Sequence, residues 1–150
     1  DPLWQDWKRA QVTDFLKDLV KRVRAIRPNI HISTTGCMSY SRAYYEAFQD
    51  WPSWVNTGLV EFVTVMSYPD NVEEFQKNIK DAKKRVKDFS KVKLGVGAYK
   101  FVSAPITFTR QFDLCEKAGS GACVVFYYGS LLLNPALSSY LTNFPSSPQE

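Results

Sequence analysis

Two hydrophobic periods alternate along this chain, and the alternation limits its fold more than any single motif does. Val12, Phe15, Leu16, Leu19, Val20, Val23 and Ile26 recur at helical spacing, with Lys, Arg and Asp on the other side. The spacing predicts a helix over 6–27, stopped by Pro28 and Asn29. A short β-rich run, "IHISTTG" at 30–36, follows. Residues 40–50 read as helical and lead into "DWPSWVNTGLV", where Gly58 is the expected helix-ending glycine. "EFVTVMSY" (61–68) reads as a second strand and 72–89 as a second long helix, with Phe75, Ile79, Ala82, Val86 and Phe89 on one face. "VKLGVGAY" (92–99) is a third strand, 107–118 a third helix ending at Gly119, and "GACVVFYY" (121–128) a fourth strand. Asn134 and Pro135 are a suitable cap and first residue for a last helix, to about Leu141.

Strand and helix in strict turn argue for an α/β fold with a parallel sheet. Four such units are half of a (β/α)8 barrel, which typically needs about 250 residues. A complete doubly wound domain is the alternative, but that sheet normally begins with a strand and this chain begins with a helix.

Both architectures place chemistry at the carboxyl ends of the strands. The second strand ends in Met66, Ser67 and Tyr68, then Pro69, Asp70 and Asn71; the third ends in Tyr99 and Lys100; the fourth ends in Phe126, Tyr127 and Tyr128. Period-two parity puts Gly95, Gly97 and Tyr99 on one face, with the aliphatic Leu94 and Val96 turned to the helices. It also groups Thr64, Met66 and Tyr68, and Val124, Phe126 and Tyr128, so Tyr68, Tyr99 and Tyr128 are expected to line one rim.

Aromatic rings beside a few polar groups suit sugars. Glycoside hydrolysis usually needs two carboxylates across the bond, and the strand ends offer only Asp70. Asp50 reads equally well as a cap or turn residue. Asp70 and Tyr68 are the catalytic candidates; Tyr99, Tyr128, Asn71, Met66 and Trp51 are the candidate substrate contacts. The rest of the chain excludes several chemistries. There is no GxSxG, HExxH or P-loop, and "GVGAYK" is too short for a dinucleotide fingerprint, so no cofactor or metal is expected. His31 is the sole histidine and sits at the start of its strand, the wrong end for catalysis. Cys37, Cys115 and Cys123 show no CxxC or Cys/His spacing and read as small buried apolar residues. The net charge of +4 gathers between Lys77 and Lys93 without interleaved aromatics, which is a solvated helix face rather than a nucleic-acid surface. No run of about 18 apolar residues occurs, so no membrane span is expected.

The blocks "WQDWKRAQVTDFLKDLVKRVRAIRPNIHIS", "QDWPSWVNTGLVEFVTVMSY", "VKLGVGAY" and "GACVVFYYGSLL" resemble, in order and spacing, the bacterial glycosyl hydrolase-like 10 family. The resemblance implies the C-terminal half of a (β/α)8 barrel over residues 1–144, holding strands five to eight, with 145–150 a tail. It implies a carbohydrate-acting protein, secreted or in the cell envelope, with bacterial cell-wall glycan a candidate. "MSY" is similar to the Met-x-Tyr signature of family-18 chitinases, whose tyrosine supports the reacting sugar. There an acid follows the tyrosine directly; here Pro69 separates Tyr68 from Asp70. The family's acid-bearing motif of strand four would precede Asp1, so the principal acid is expected outside these residues and the chain alone is expected to be inactive. At strand eight the family's Phe-Ser-Tyr stands here as Phe126-Tyr127-Tyr128. The rival expectations are a non-catalytic carbohydrate-binding barrel and a small α/β scaffold or binding module. A half-barrel also predicts self-association through its open sheet edges.

Overall fold

The computed structural model describes residues 1–143. The first helix, α1 (Pro2–Ile26), starts earlier than the periodicity indicates, because Asp1 accepts a hydrogen bond from the Leu3 amide at 2.9 Å and Pro2 suits the first turn. Then come β1 (Ser33–Cys37), α2 (Tyr40–Tyr45) and α3 (Trp51–Asn56). The expected helix over 40–50 thus ends early, at Tyr45, and a separate helix begins at Trp51. The break is at Phe48, held in the left-handed region at φ 56°. Gly58 and Gly119 (both φ 70°) follow the ends of α3 and of the helix Pro105–Lys117, where a left-handed residue closes a helix.

The remaining elements are β2 (Phe62–Ser67), α4 (Val72–Arg85), β3 (Val92–Gly97), α5 (Pro105–Lys117), β4 (Ala122–Phe126), α6 (Tyr128–Leu133) and α7 (Pro135–Thr142). Short 3-10 turns cover Phe89–Lys91 and Ala98–Phe101. In α4, Asn71 accepts from the Glu74 amide, Glu73 and Glu74 lie in the first turn, and Lys83, Lys84 and Arg85 in the last, matching the helix dipole at both ends.

The four strands are all parallel and lie in sequence order, β1-β2-β3-β4, with Thr35 opposite Thr64, Val65 opposite Leu94 and Gly95 opposite Val124. A doubly wound sheet reverses its strand order at a switch point; this one does not. Sequential parallel strands joined by right-handed crossovers keep their helices on one side. The fold is therefore α/β, with four parallel strands alternating with helices as in part of a (β/α)8 barrel. Its parity agrees with that arrangement. Val63, Val65, Val92, Leu94 and Val96 are fully buried and share the main hydrophobic core with Trp51, Trp54, Phe75 and Phe108. On the opposite face Thr64 and Met66 are half-buried and Phe126 is 50% exposed.

One expectation about cysteine is overturned. Cys115 and Cys123 form a disulfide, with Cα atoms 6.0 Å apart, tying the last turn of α5 to β4. Their eight-residue separation matches no motif, because the pairing arises from α5 packing back on β4. Cys37 alone is a free thiol. Residue 144 and the expected tail at 145–150 lie outside the described residues. No helix among the described residues is long and apolar enough to cross a membrane.

Candidate functional site

The carboxyl end of β2 delivers Tyr68 onto the open face of the sheet, where two glycines make room for it. A Cβ at Gly95 would lie 3.1 Å from the Tyr68 Cε1, and one at Gly97 would lie 3.2 Å from the Tyr68 Cβ and from the Tyr99 Cε1. The ring thus crosses β3 where that strand has no side chains. Tyr99, in the 3-10 turn after β3, meets it edge-on at 6.0 Å between centroids. Phe126, the last residue of β4, stacks on it at 5.6 Å with an interplanar angle of 16°. Burial, then the neighbouring Tyr99, pushes the Tyr68 phenol above its ordinary range, so it stays a neutral donor well beyond neutrality.

The loop after Tyr68 is tied down from behind. Gln111 on α5 is fully buried, and its Nε2 donates to the Pro69 and Asn71 carbonyls at 3.2 and 3.1 Å. Asn78 donates to the Ser67 hydroxyl at 3.2 Å. Lys100 reaches across from β3's end to Asp70 at 2.8 Å. The Asp70 side chain is 85% exposed and the lysine 28%, so this surface pair contributes little to stability and mainly orients the two groups.

Beside these groups lies a cleft of about 500 Å³, lined among others by Arg42, Met66, Tyr68, Asp70, Tyr99 and Lys100. Glu74 and Asn78 from α4 close another side, and Met38 and Ser39 line it from the loop after β1. A larger groove of about 780 Å³ runs between α5 and α7. Its only carboxylate among the described residues, Asp113, accepts a hydrogen bond from Tyr140. The strand-end cleft, with cations, carboxylates and phenols together, is the better candidate for chemistry. No cluster of His, Cys, Asp or Glu able to hold a metal occurs among the described residues.

The structure brings together Tyr68, Tyr99, Met66 and Asp70, and separates the other three candidates. Tyr128 does not join the rim. The strand ends two residues earlier than expected, Tyr128 opens α6 and is 72% exposed, and Phe126 takes the third place in the ring cluster. Trp51 is fully buried against Gly36, where an added Cβ would come within 2.8 Å of its ring; it is a packing residue. Asn71 spends its side-chain oxygen capping α4. Asp50 accepts from the Tyr40 hydroxyl at 2.9 Å and makes no side-chain cap to α3. Burial, reinforced by that bond to Asp50, raises the Tyr40 phenol far above its usual range. Arg42 and Glu74 are cleft residues that the strand-end reading misses, since both sit on helices. Glu74 carries a recognisable signal as an acid in the first turn after an Asn cap.

No curated protein and no solved structure is significantly similar to the chain. The model of the family described as glycosyl hydrolase-like 10 matches residues 1–113, which include β1 to β3, the Tyr68 loop and Tyr99. A match over 113 of 150 residues, on a parallel α/β sheet with its cleft at the strand ends, means that the chain belongs to the glycosyl hydrolase-like 10 family.

Proposed function

We propose that the strand-end cleft holds a sugar residue of a polysaccharide, as part of a site acting on O-glycosyl bonds, with bacterial cell-wall glycan as the candidate substrate. The observation that carries this reading is Tyr68, laid over Gly95 and Gly97 between Tyr99 and Phe126. Tyr99 (41%) and Phe126 (50%) leave ring surface open for the C–H face of a pyranose, and Lys100, Arg42 and Asp70 supply partners for its hydroxyls. In this reading Tyr68 supports the reacting sugar and Asp70 is the local acid. Calorimetry with soluble cell-wall glycan fragments tests it. Tyr68→Ala should weaken binding roughly tenfold, the ratio worth about 1.4 kcal/mol. Equal affinity in that variant would remove the cleft from consideration.

A non-catalytic, carbohydrate-binding role is favoured by one observation: Asp70 is exposed and paired with Lys100 rather than set in a dry pocket. Glycan binding by the full-length parent with no release of reducing ends, unchanged in Asp70→Asn, would decide for it. The reading includes a secreted or envelope location, which the Cys115–Cys123 disulfide supports, since disulfides persist in oxidising compartments. It also includes self-association, because β1 and β4 are the outer strands and each leaves one edge unpaired among the described residues.

A further inference from the structure

Four tryptophans divide sharply by exposure. Trp51 and Trp54 are 0% and 3% exposed, as packed indoles in this fold are; Trp4 and Trp7 are 54% and 51% exposed. The exposed two are organised. Their rings lie 4.8 Å apart at an interplanar angle of 6°, an offset stack that presents one broad aromatic surface. The Lys8 ammonium lies 4.1 Å from the Phe48 ring centroid and 5.7 Å from that of Trp4, so a cation with free donors borders the surface. Phe48 is itself held in a conformation that bulky residues rarely adopt, at φ 56°. The next residue fixes it there: the Gln49 amide donates to the Ala43 carbonyl at 2.7 Å, and the Gln49 side chain accepts from the Cys37 amide at 3.0 Å.

This surface lies on the same side of the molecule as the cleft. The connection from α1 into β1 begins at Ile26, so the start of α1 is at the far end of that helix, beside the loop that leaves β1. Arg9 confirms the placement by donating to the Tyr44 carbonyl at 3.2 Å while its guanidinium sits 3.8 Å from the Tyr44 ring centroid. The short helix α2 therefore joins the two regions: Arg42 lines the cleft, and Tyr44 meets α1.

We propose that Trp4 and Trp7, with Phe48 and Lys8, form a second sugar contact, an outlying subsite for a glycan chain that extends from the Tyr68 cleft across α2. This rests on the reading of that cleft as a sugar site. Its consequence is that the ligand is a polymer rather than a single sugar. Indole faces take pyranose C–H surfaces, and the lysine donates to hydroxyls at the edge.

The probes are N-acetylglucosamine–N-acetylmuramic acid fragments, a disaccharide and an octasaccharide, titrated into the full chain. Acrylamide quenching of tryptophan fluorescence reads the site directly, because only Trp4 and Trp7 are open to the quencher. The octasaccharide should shield the fluorescence and the disaccharide should not. The octasaccharide should also bind roughly tenfold more tightly. Trp4→Ala with Trp7→Ala should erase that gain and leave disaccharide binding intact. Trp4→Phe with Trp7→Phe should restore most of it, which a merely misfolded variant would not allow. Octasaccharide binding with unchanged quenching and no loss in the alanine variant overturns the subsite and spares the cleft. Shielded tryptophans in the free protein mean another surface covers them, and also overturn it. Failure of both fragments to bind overturns the cleft reading, and the subsite with it.

Discussion

Gly95 and Gly97 should respond differently to the same substitution, and the difference follows from what each new methyl group would meet. Alanine for glycine in an unstrained conformation stabilises by about 0.4–1 kcal/mol through the unfolded chain. At Gly97 the nearest atoms are the Tyr68 Cβ and Tyr99 Cε1 at 3.2 Å and the Tyr68 Cδ1 at 3.3 Å. The Tyr99 Cε1 is the far end of an exposed side chain and can give by a few tenths of an ångström, and the Tyr68 Cβ contact costs about as much as the unfolded-state gain returns. At Gly95 the nearest atom is the Val65 carbonyl oxygen, at 3.0 Å. That carbonyl belongs to β2, which pairs with β3 across Val65 and Leu94, and it cannot move without disturbing the ladder. Overpacking against such an atom costs about 1–3 kcal/mol. Gly97→Ala should therefore be about neutral, and Gly95→Ala less stable by about 1–2 kcal/mol once the unfolded-state gain is subtracted.

Urea unfolding at constant slope separates the two. With a slope of about 2 kcal/mol per molar, the midpoints should differ by roughly 1 M. Both substitutions press on Tyr68, since a Cβ at Gly95 would lie 3.1 Å from its Cε1, so binding should weaken in both. Gly97→Ala tilts Tyr68 off its 16° stack with Phe126, and should weaken glycan-fragment binding about tenfold while the fold persists. A Gly97→Ala protein that unfolds earlier than Gly95→Ala, or that binds like the parent, would refute the account of Tyr68 as a ring seated on bare backbone.

Three further outcomes follow from the packing and the charges. Trp51→Ala should cost about 3–5 kcal/mol in chemical denaturation, whereas Trp51→Phe should cost clearly less, because the buried indole N–H has no hydrogen-bond partner among the described residues. Reducing the Cys115–Cys123 disulfide should lower stability by about 2–3 kcal/mol, the entropy of a loop this short, and Cys115→Ala should show the same loss without reductant. Tyr68 should make stability fall in alkali: its folded phenol is held above the ordinary range, while the unfolded phenol ionises near pH 10. Its contribution is complete below that pH and is lost as pH rises through the folded value; Tyr68→Phe should flatten this part of a urea-midpoint profile taken against pH.

The sheet and the cleft were legible in the sequence to different depths. Strand parity was readable because one face is packed against helices and the other is not, so Val63, Val65, Leu94 and Val96 separate from Thr64, Met66, Gly95 and Gly97 by simple alternation. That placed Tyr68 and Tyr99 together. The same rule failed at Tyr128 because parity says which side a residue faces but not where a strand stops; Tyr128 leaves the sheet to begin α6, and Phe126, two residues earlier in the same phase, closes the cluster. Trp51 looked like a surface ring because its socket, the missing side chain of Gly36 on β1, lies 15 residues away and leaves no local trace. The cysteine pair was hidden for a related reason, since its geometry exists only after α5 docks on β4.

These successes and failures share one physical basis. Short-range period survives in a sequence because each residue states its own preference for burial. Vacancies do not, because a glycine records an absence whose occupant is chosen elsewhere in the chain. Gly36 admits Trp51 and so builds the core; Gly95 and Gly97 admit Tyr68 and so shape the cleft. The residue types at these positions are identical, and only the partner separates a core socket from one at the proposed sugar site. Tyr68 is the case with a functional signature, because its ring lies on the open face beside Lys100, Asp70 and Arg42, whereas Trp51 lies on the closed face among aliphatics. The face of the sheet on which a vacancy opens is therefore the criterion that turns a glycine in this fold into evidence about a binding site.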